Sequence, residues 1–388
     1  MYNSYFLKYF RFNKFLLQFC GVLPISSSGF IINGICILIP FCTSSFLVLP
    51  GFYNIIFRRE DMAVMGVLNV FSELLETLVG AIKVIILLPK RRKLVSLVRL
   101  CNELWENIEN EKEAQTVKYY ATIAMYLTYG FFINVFCALL ALAVQSLFSQ
   151  FVYNSNGTMV SSKELPYSSG IFHENIQCFY IWYALQIPAG LISIIPVIGV
   201  DTAVAFFVFH ACAHFKLLQY RMSKLKQLYE KSVPSKSTFA EIVKIVKQHQ
   251  RILNYSAAIE NIFSPVVLLQ TVLSIVAICG FGFNLLMGGQ DTVAYGVHLI
   301  GAALQLLIFC WPPNNLLFES MNIGLCAYDL PWHSWTKKEG KVVEIIISRS
   351  QKVAFLSAGK FAHMSLKTFS SILSSAFSFF TLLRKIVY

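Results

Sequence analysis

The chain has 388 residues, 56% of them hydrophobic and only 13% charged, with 34 phenylalanines and a net charge of +12; its mean hydropathy is +0.61. These values exclude an ordinary soluble globular domain and identify a polytopic membrane protein. The basic excess is spread over the segments between apolar runs rather than gathered in a patch, so it reads as a topology signal and sets aside nucleic-acid binding.

Seven windows are apolar and long enough to cross a hydrocarbon core, which takes about 20 helical residues. They run roughly over 29–50, 62–88, 121–149, 178–212, 263–288, 293–311 and 364–386. The first follows a basic segment and has no small-residue cleavage site behind it, so it is expected to serve as a signal anchor rather than to be removed. The fold class expected is all-α.

Orientation follows from Lys and Arg. Lys8, Arg11 and Lys14, seven basic residues in 89–120, nine in 213–262 and five in 312–358 fall on one side, against Arg58, Arg59 and Lys163 on the other. The N-terminus is therefore expected inside and the C-terminus outside, the reverse of a G-protein-coupled receptor. The acceptor sequence Asn156-Gly157-Thr158 falls in a loop that this topology places outside, where it can be glycosylated. Nine cysteines fall in spans or on the inner side and only Cys178 lies near the outer surface, so no outer disulfide is expected.

The inner connections are long and patterned as helices. Leu217, Leu218, Met222, Leu225 and Leu228 form one apolar stripe, and Ile242, Val243, Val246 and Leu253 another, set against Lys244, Lys247 and Arg251, with Val233-Pro234-Ser235 as the break. Such stripes need a partner, either the inner ends of their own bundle or a neighbouring subunit. The third connection carries Trp332, Trp335 and the run Val342–Ile347.

Polar residues inside the spans are few. Asp201 is costly in an apolar helix and calls for a Lys or hydroxyl partner on a neighbouring helix, while Lys83 near a helix end can snorkel to the interface. His210 and His214 stand one turn apart around Cys212, a two-ligand metal spacing with no third ligand at hand, so interfacial histidines are the stronger reading. There is no catalytic constellation, no nucleotide loop and no cofactor motif, hence no enzyme is expected. Tyr183, Gln186 and Ile187 lie on one turn, and Tyr295 and His298 face one way, as convergent polar tips would in a cleft for a small neutral ligand. The last span differs from a lipid-facing helix: Ser365, Thr368, Ser370, Ser371, Ser374, Ser375, Ser378 and Thr381 interrupt its Phe and Leu residues. Hydroxyls at that density require partners or water, which points to a pore wall.

Phe318-Glu319-Ser320, Ala327-Tyr328-Asp329-Leu330-Pro331-Trp332, Ser350-Gln351-Lys352, Gly359-Lys360-Phe361, Ser365-Leu366-Lys367-Thr368-Phe369 and Ser378-Phe379-Phe380-Thr381-Leu382-Leu383-Arg384 stand in the order and spacing of insect odorant receptors. The chain resembles that family, specifically over its last 80 residues and in general layout elsewhere, and within it a ligand-tuning subunit rather than the shared co-receptor. The resemblance implies an odorant-gated, non-selective cation channel in the plasma membrane of olfactory sensory neurons, formed as a heterotetramer with the co-receptor Orco. It implies the division 1–311 for spans one to six with the pocket in the outer half, a cytosolic helical extension over 215–262, a cytosolic anchor over 312–358 and a pore-lining helix over 359–388.

By position, the family pocket carries over to Val67, Val70 and Phe71 on the second span and to Phe132, Phe136, Leu139 and Ala143 on the third. On the fourth it maps to Phe179, Tyr183 and Ile187, and on the sixth to Tyr295 and His298. The pocket so formed is aromatic and uncharged, suited to a neutral ester, alcohol, aldehyde or terpenoid held by apolar burial of about 25 cal/mol per Å² and one or two hydrogen bonds. Ser378, Leu382, Lys385 and Ile386 are expected at the pore, Leu382 as a hydrophobic gate that closes by dewetting. Arg384 and Lys385 replace neutral residues of the co-receptor end; a ring of four such cations would oppose cation flow, which favours a heteromer. Alternatives are a gustatory receptor of the same superfamily, against which Phe379 and Arg384-Lys385 stand, and a transporter, against which the lack of inverted repeats stands.

Overall fold

The computed structural model describes residues 4–25, 30–57, 64–147, 150–153, 159–162, 165–167, 176–229, 236–287 and 292–387. The chain is almost wholly helical: α1 Ser4–Phe19, α2 Phe30–Phe57, α3 Val64–Leu87, α4 Arg91–Glu106, α5 Glu111–Leu147, α6 Ile176–Tyr229, α7 Lys236–Met287, α8 Thr292–Tyr328, α9 Lys337–Ser350 and α10 Leu366–Val387. Two short antiparallel hairpins interrupt the helices, β1 Gln150–Tyr153 with β2 Met159–Ser162, and β3 Ser357–Ala358 with β4 Ala362–His363. All seven apolar windows lie on helices, α2, α3, α5, α6, α7, α8 and α10. Of these, α2, α5, α6, α7 and α8 are long and apolar enough to cross a membrane, and α3 and α10, with 24 and 22 residues, extend over about 33–36 Å.

The spans do not stop where hydropathy falls. α6 has 54 residues and α7 has 52, about 80 Å each, against a hydrocarbon core of about 30 Å. Their surplus, with α4, α9 and the ends of α5 and α8, forms a helical extension at one end of the bundle, and the β1–β2 hairpin marks the other. The two stripes of 215–262 belong to these continuations. Leu217, Leu218, Met222, Leu225 and Ile242 are buried within the same chain, while Leu228 is exposed, so most of the apolar surface is satisfied without a second subunit. Val233-Pro234-Ser235 lies outside the described residues.

α6 is the central helix, packed against α1, α2, α3, α5, α7 and α8, and every residue from Pro196 to Phe215 is buried. The N-terminal segment, read from sequence as a basic tail, is a helix. Phe6 and Phe10 are fully buried; Phe6 packs against Phe206, and Phe10 against Phe206 and Phe207, with tilted rings at separations of 4.9–6.3 Å. Their spacing of four places both on one face, and that was the legible signal.

Prolines within the helices free carbonyls that a membrane-embedded chain must satisfy. Pro265 lacks the N–H that would serve Asn261, and the Lys90 ammonium takes its place, donating to the Asn261 carbonyl at 2.7 Å and to that of Ile262 at 3.1 Å. The adjoining Ser264 carbonyl accepts from the Gly359 N–H at 3.0 Å. Gly359 and Lys360 both take left-handed backbone conformations, turning β3 back into β4 beside α7. Glu260 accepts from the Ser357 backbone N–H at 2.8 Å and from its hydroxyl, so this turn is clamped from three directions.

Charged groups close the extension. Arg221 on α6 donates to both carboxylate oxygens of Glu113 at 2.8 and 2.9 Å and to Gln248 of α7 at 2.8 Å. Glu319 of α8 receives Tyr120 and Gln219 at 2.9 and 2.8 Å. Thr336 and Glu339 form a capping box that starts α9. In α4, burial pushes the Cys101 thiol well above its ordinary range, which keeps it unreactive.

Candidate functional site

A cavity of about 160 Å³ opens among α3, α5, α6, α7 and α8, on the hairpin side of the bundle. α5 contributes Phe131, Asn134, Val135, Ala138, Leu139 and Leu142; α3 adds Leu75 and Val79, and α6 adds Ile194 and Val197. From α7 come Gln270, Leu273, Ser274, Val276, Ala277 and Phe281, and from α8 Val297, His298, Gly301, Ala302 and Gln305. No lining residue is an acid, Lys or Arg. Apolar cavities of this size hold about one aromatic ring.

Small residues make the room. Gly301 faces Asn134, whose Oδ1 lies 3.1 Å from where a Cβ would stand, and Gly190 receives the ring of Tyr167, which a Cβ would strike. Tyr167 reaches the cavity from the segment after β2, where both its backbone N–H and carbonyl bond the buried Gln186 side chain at 3.2 and 3.3 Å. A loop tyrosine thus closes the hairpin end of the cavity, held in place by an amide from α6.

At the opposite wall, Gln305 donates to Asp201 Oδ2 at 2.7 Å, and Lys83 meets Asp201 Oδ1 at 2.6 Å. Lys83 and Asp201 are fully buried, so Lys83 does not snorkel as sequence reasoning allowed. The partner sought for Asp201 on a neighbouring helix is this ammonium. α3 approaches α6 closely enough for the pair because Gly80, one turn before Lys83, faces the Ser193 carbonyl, 2.9 Å from a virtual Cβ. Ser193, Val197 and Asp201 then present one face of α6 to α3.

The positions expected to bind ligand divide into groups. Leu139 and His298 line the cavity, and the His298 ring stands 5.2 Å from that of Phe281. Phe132 turns instead to Phe12, edge-on at 5.6 Å, and Phe136 is 44% exposed on the outside of α5. Phe179 stacks on Tyr183 at 6.1 Å, and the Tyr183 hydroxyl donates to the Ala143 carbonyl at 2.9 Å. These three form a plug nearer the hairpin, separate from the cavity lining. Ile187 and Tyr295 are half-buried and do not line the cavity either. Val67, Val70 and Phe71 belong to α3, with side chains outside the described residues, as Asn156 is entirely. Sequence reasoning missed the whole α7 wall and Tyr167. The mixed polar and apolar turn Gln270–Ser274 was the available signal on α7.

His210 and His214 lie away from the cavity, with their Nε2 atoms 3.1 Å apart, enclosed by Trp105, Phe206 and Tyr255. Among the described residues no group of three or more His, Cys, Asp or Glu is placed to hold a metal. α10 leans on α7 and α8 through Phe369, Ile372, Leu373 and the buried Ala376. Its opposite face exposes Ser371, Ser374, Ser375 and Ser378. Leu382, Lys385 and Ile386 continue the helix, their side chains outside the described residues.

A family model described as the seven-transmembrane odorant receptor matches residues 64–377, a span that includes the cavity and most of α10. The chain belongs to the insect odorant receptor family. Similar relatives include odorant receptor 13a of Drosophila melanogaster, 26% identical over 246 residues that cover 58% of this chain and 59% of that one. Odorant receptor 85b of the same fly is 27% identical over 58% of each chain, and odorant receptor 10 of Aedes albopictus 26% over 47% and 50%. The matched stretch thus spans about half to three-fifths of these relatives. The olfactory receptor OR5 of Machilis hrabei superposes with a TM-score of 0.79 at 13% identity, covering 99% of this receptor and 100% of that chain. Its complex with eugenol superposes at 0.76 and 14% identity. The fold of this receptor is therefore that of the insect olfactory receptors.

Proposed function

We propose that this receptor is the ligand-tuning subunit of an odorant-gated, non-selective cation channel assembled with the co-receptor Orco as a heterotetramer. A small neutral volatile, an ester, alcohol, aldehyde or terpenoid, binds in the cavity among α3, α5, α6, α7 and α8. The observation that carries this reading is the uncharged, aromatic-lined cavity, enclosed by five helices and backed by a polar network that reaches the centre of the bundle. Apolar burial supplies the affinity, and the few polar groups supply orientation. The eugenol complex of the Machilis receptor supports a ligand of this size and polarity.

The pore is assigned to α10. Among the described residues nothing covers its serine face, and a face of four serines suits water at the axis of an assembly better than lipid. Ser378 and Lys385 line that axis, Leu382 closes it by dewetting and Ile386 stands one turn outward. The distribution of Lys and Arg supports an inside N-terminus and a cytosolic position for 215–262 and 312–358. A ligand opens the pore only through its higher affinity for the open arrangement.

The test is to express this chain in cells with and without Orco and record current against a panel of neutral volatiles. Odorant-evoked current only with both chains is expected. Current from this chain alone would overturn the heteromer, and silence in both would overturn the channel. Ala138→Phe, which fills the cavity, is expected to remove the odorant response; an unaltered response would place the ligand elsewhere.

A further inference from the structure

We infer that the cavity selects a ligand carrying a hydroxyl donor, an alcohol or phenol of about one ring, and that Gln270 of α7 accepts its hydrogen bond. The inference rests on the cavity being the odorant site and narrows the ligand class within it.

Two glutamines of the wall each donate from the side-chain amide. Gln305 gives an N–H to Asp201 at 2.7 Å. Gln270 gives its own Nε2 to Ser274, one turn on, at 3.0 Å. The Gln270 carbonyl oxygen is buried and has no hydrogen-bond partner, on a residue 3% exposed that lines the cavity. A buried amide carbonyl without a partner is unfavourable, and within a membrane no bulk water reaches it.

The geometry defines what removes the defect. An acceptor demands a donor, and among small neutral volatiles the donor is an O–H. Esters, ethers, aldehydes and ketones bring only acceptors, and set against the Gln270 oxygen they leave both groups unsatisfied. A hydrocarbon leaves the oxygen as it is. Selectivity of this kind, a site polar group left unpaired by the analogue, exceeds what one methylene more or less in an apolar pocket achieves.

The experiment uses matched pairs of an alcohol or phenol and its methyl ether, applied to cells expressing this receptor with Orco, with currents scaled to that evoked by a co-receptor agonist. The alcohol is expected to be about tenfold more potent than its ether. In Gln270→Met, similar in length but without the acceptor, the ratio is expected to fall to about one, chiefly through loss of alcohol potency. Ether potency equal to or above that of the alcohol in the unaltered receptor overturns the inference, as does a ratio unchanged in Gln270→Met. If Gln270→Met carries no current even with the co-receptor agonist, the ratio in the unaltered receptor decides alone. Ala138→Phe separates the two levels of the argument: loss of both responses in this variant, with a ratio of one in the unaltered receptor, keeps the cavity and rejects the donor rule, whereas retention of both responses rejects the cavity.

Discussion

Gln305 lines the cavity and donates to Asp201 Oδ2 at 2.7 Å. Through that one side chain the cavity touches the buried pair of Asp201 with Lys83. A molecule that filled the cavity and pressed on Gln305 would act on the contact that joins α3, α6 and α8.

Breaking that pair is expected to be severe. Lys83→Met leaves a carboxylate buried without its cation, a loss of about 3–5 kcal/mol, and is expected to abolish surface expression as measured by cell-surface labelling. Lys83→Met combined with Asp201→Asn removes both charges while keeping an acceptor for Gln305, and is expected to recover much of the surface signal. Equal loss in single and double variants would show that the pair is not the controlling interaction.

Gly80 sets the distance that makes the pair possible. A Cβ there would stand 2.9 Å from the Ser193 carbonyl, and backbone cannot swing aside. Gly80→Val is expected to cost about 1–3 kcal/mol through overpacking and to lower the unfolding temperature of the detergent-purified receptor. Gly34, with open space around its virtual Cβ, is the control position at which valine is expected to be tolerated far better.

Arg221 is the fork that ties α5, α6 and α7 in the helical extension, with two bonds to Glu113 and one to Gln248. Lysine cannot reproduce this planar geometry. Arg221→Lys is expected to lose about 1–2 kcal/mol and Arg221→Ala more, since the buried Glu113 then keeps the Glu109 backbone N–H but loses its cation. Thermal unfolding of the two variants in one detergent gives the order, and parity between them would mean that charge alone, without the fork, is what matters.

The proposed outside placement of the 150–177 segment has a direct readout. Asn156 in its Asn156-Gly157-Thr158 sequence is expected to carry a glycan, detected as a mobility shift on glycosidase treatment that Asn156→Gln removes. A tag at the N-terminus is expected to remain inaccessible to antibody in intact cells. Surface labelling of that tag would reverse the topology.

Much of the architecture is legible along the chain because membrane insertion is decided locally. A run such as Phe179–Phe209 is apolar whatever surrounds it, and the helix it forms satisfies its own backbone. The same holds for the hydroxyl pattern of α10, which marks one face of that helix as polar. Less of the site was legible. Of the residues singled out, Leu139 and His298 line the cavity while Phe136 turns outward, and Gln270 and Tyr167 were not singled out at all.

The sequence by itself determined the seven spans, the family motifs and the need of Asp201 for a partner, since each depends on composition or on residues close in the chain. Which group answers Asp201, how far α6 and α7 continue past the membrane, and which faces enclose the cavity were decided only by tertiary structure. Those outcomes depend on the rotation and axial register of one helix against another. A shift of one residue turns a helix by about 100°, so they are fixed by contacts such as Gly80 against Ser193, between residues more than a hundred positions apart.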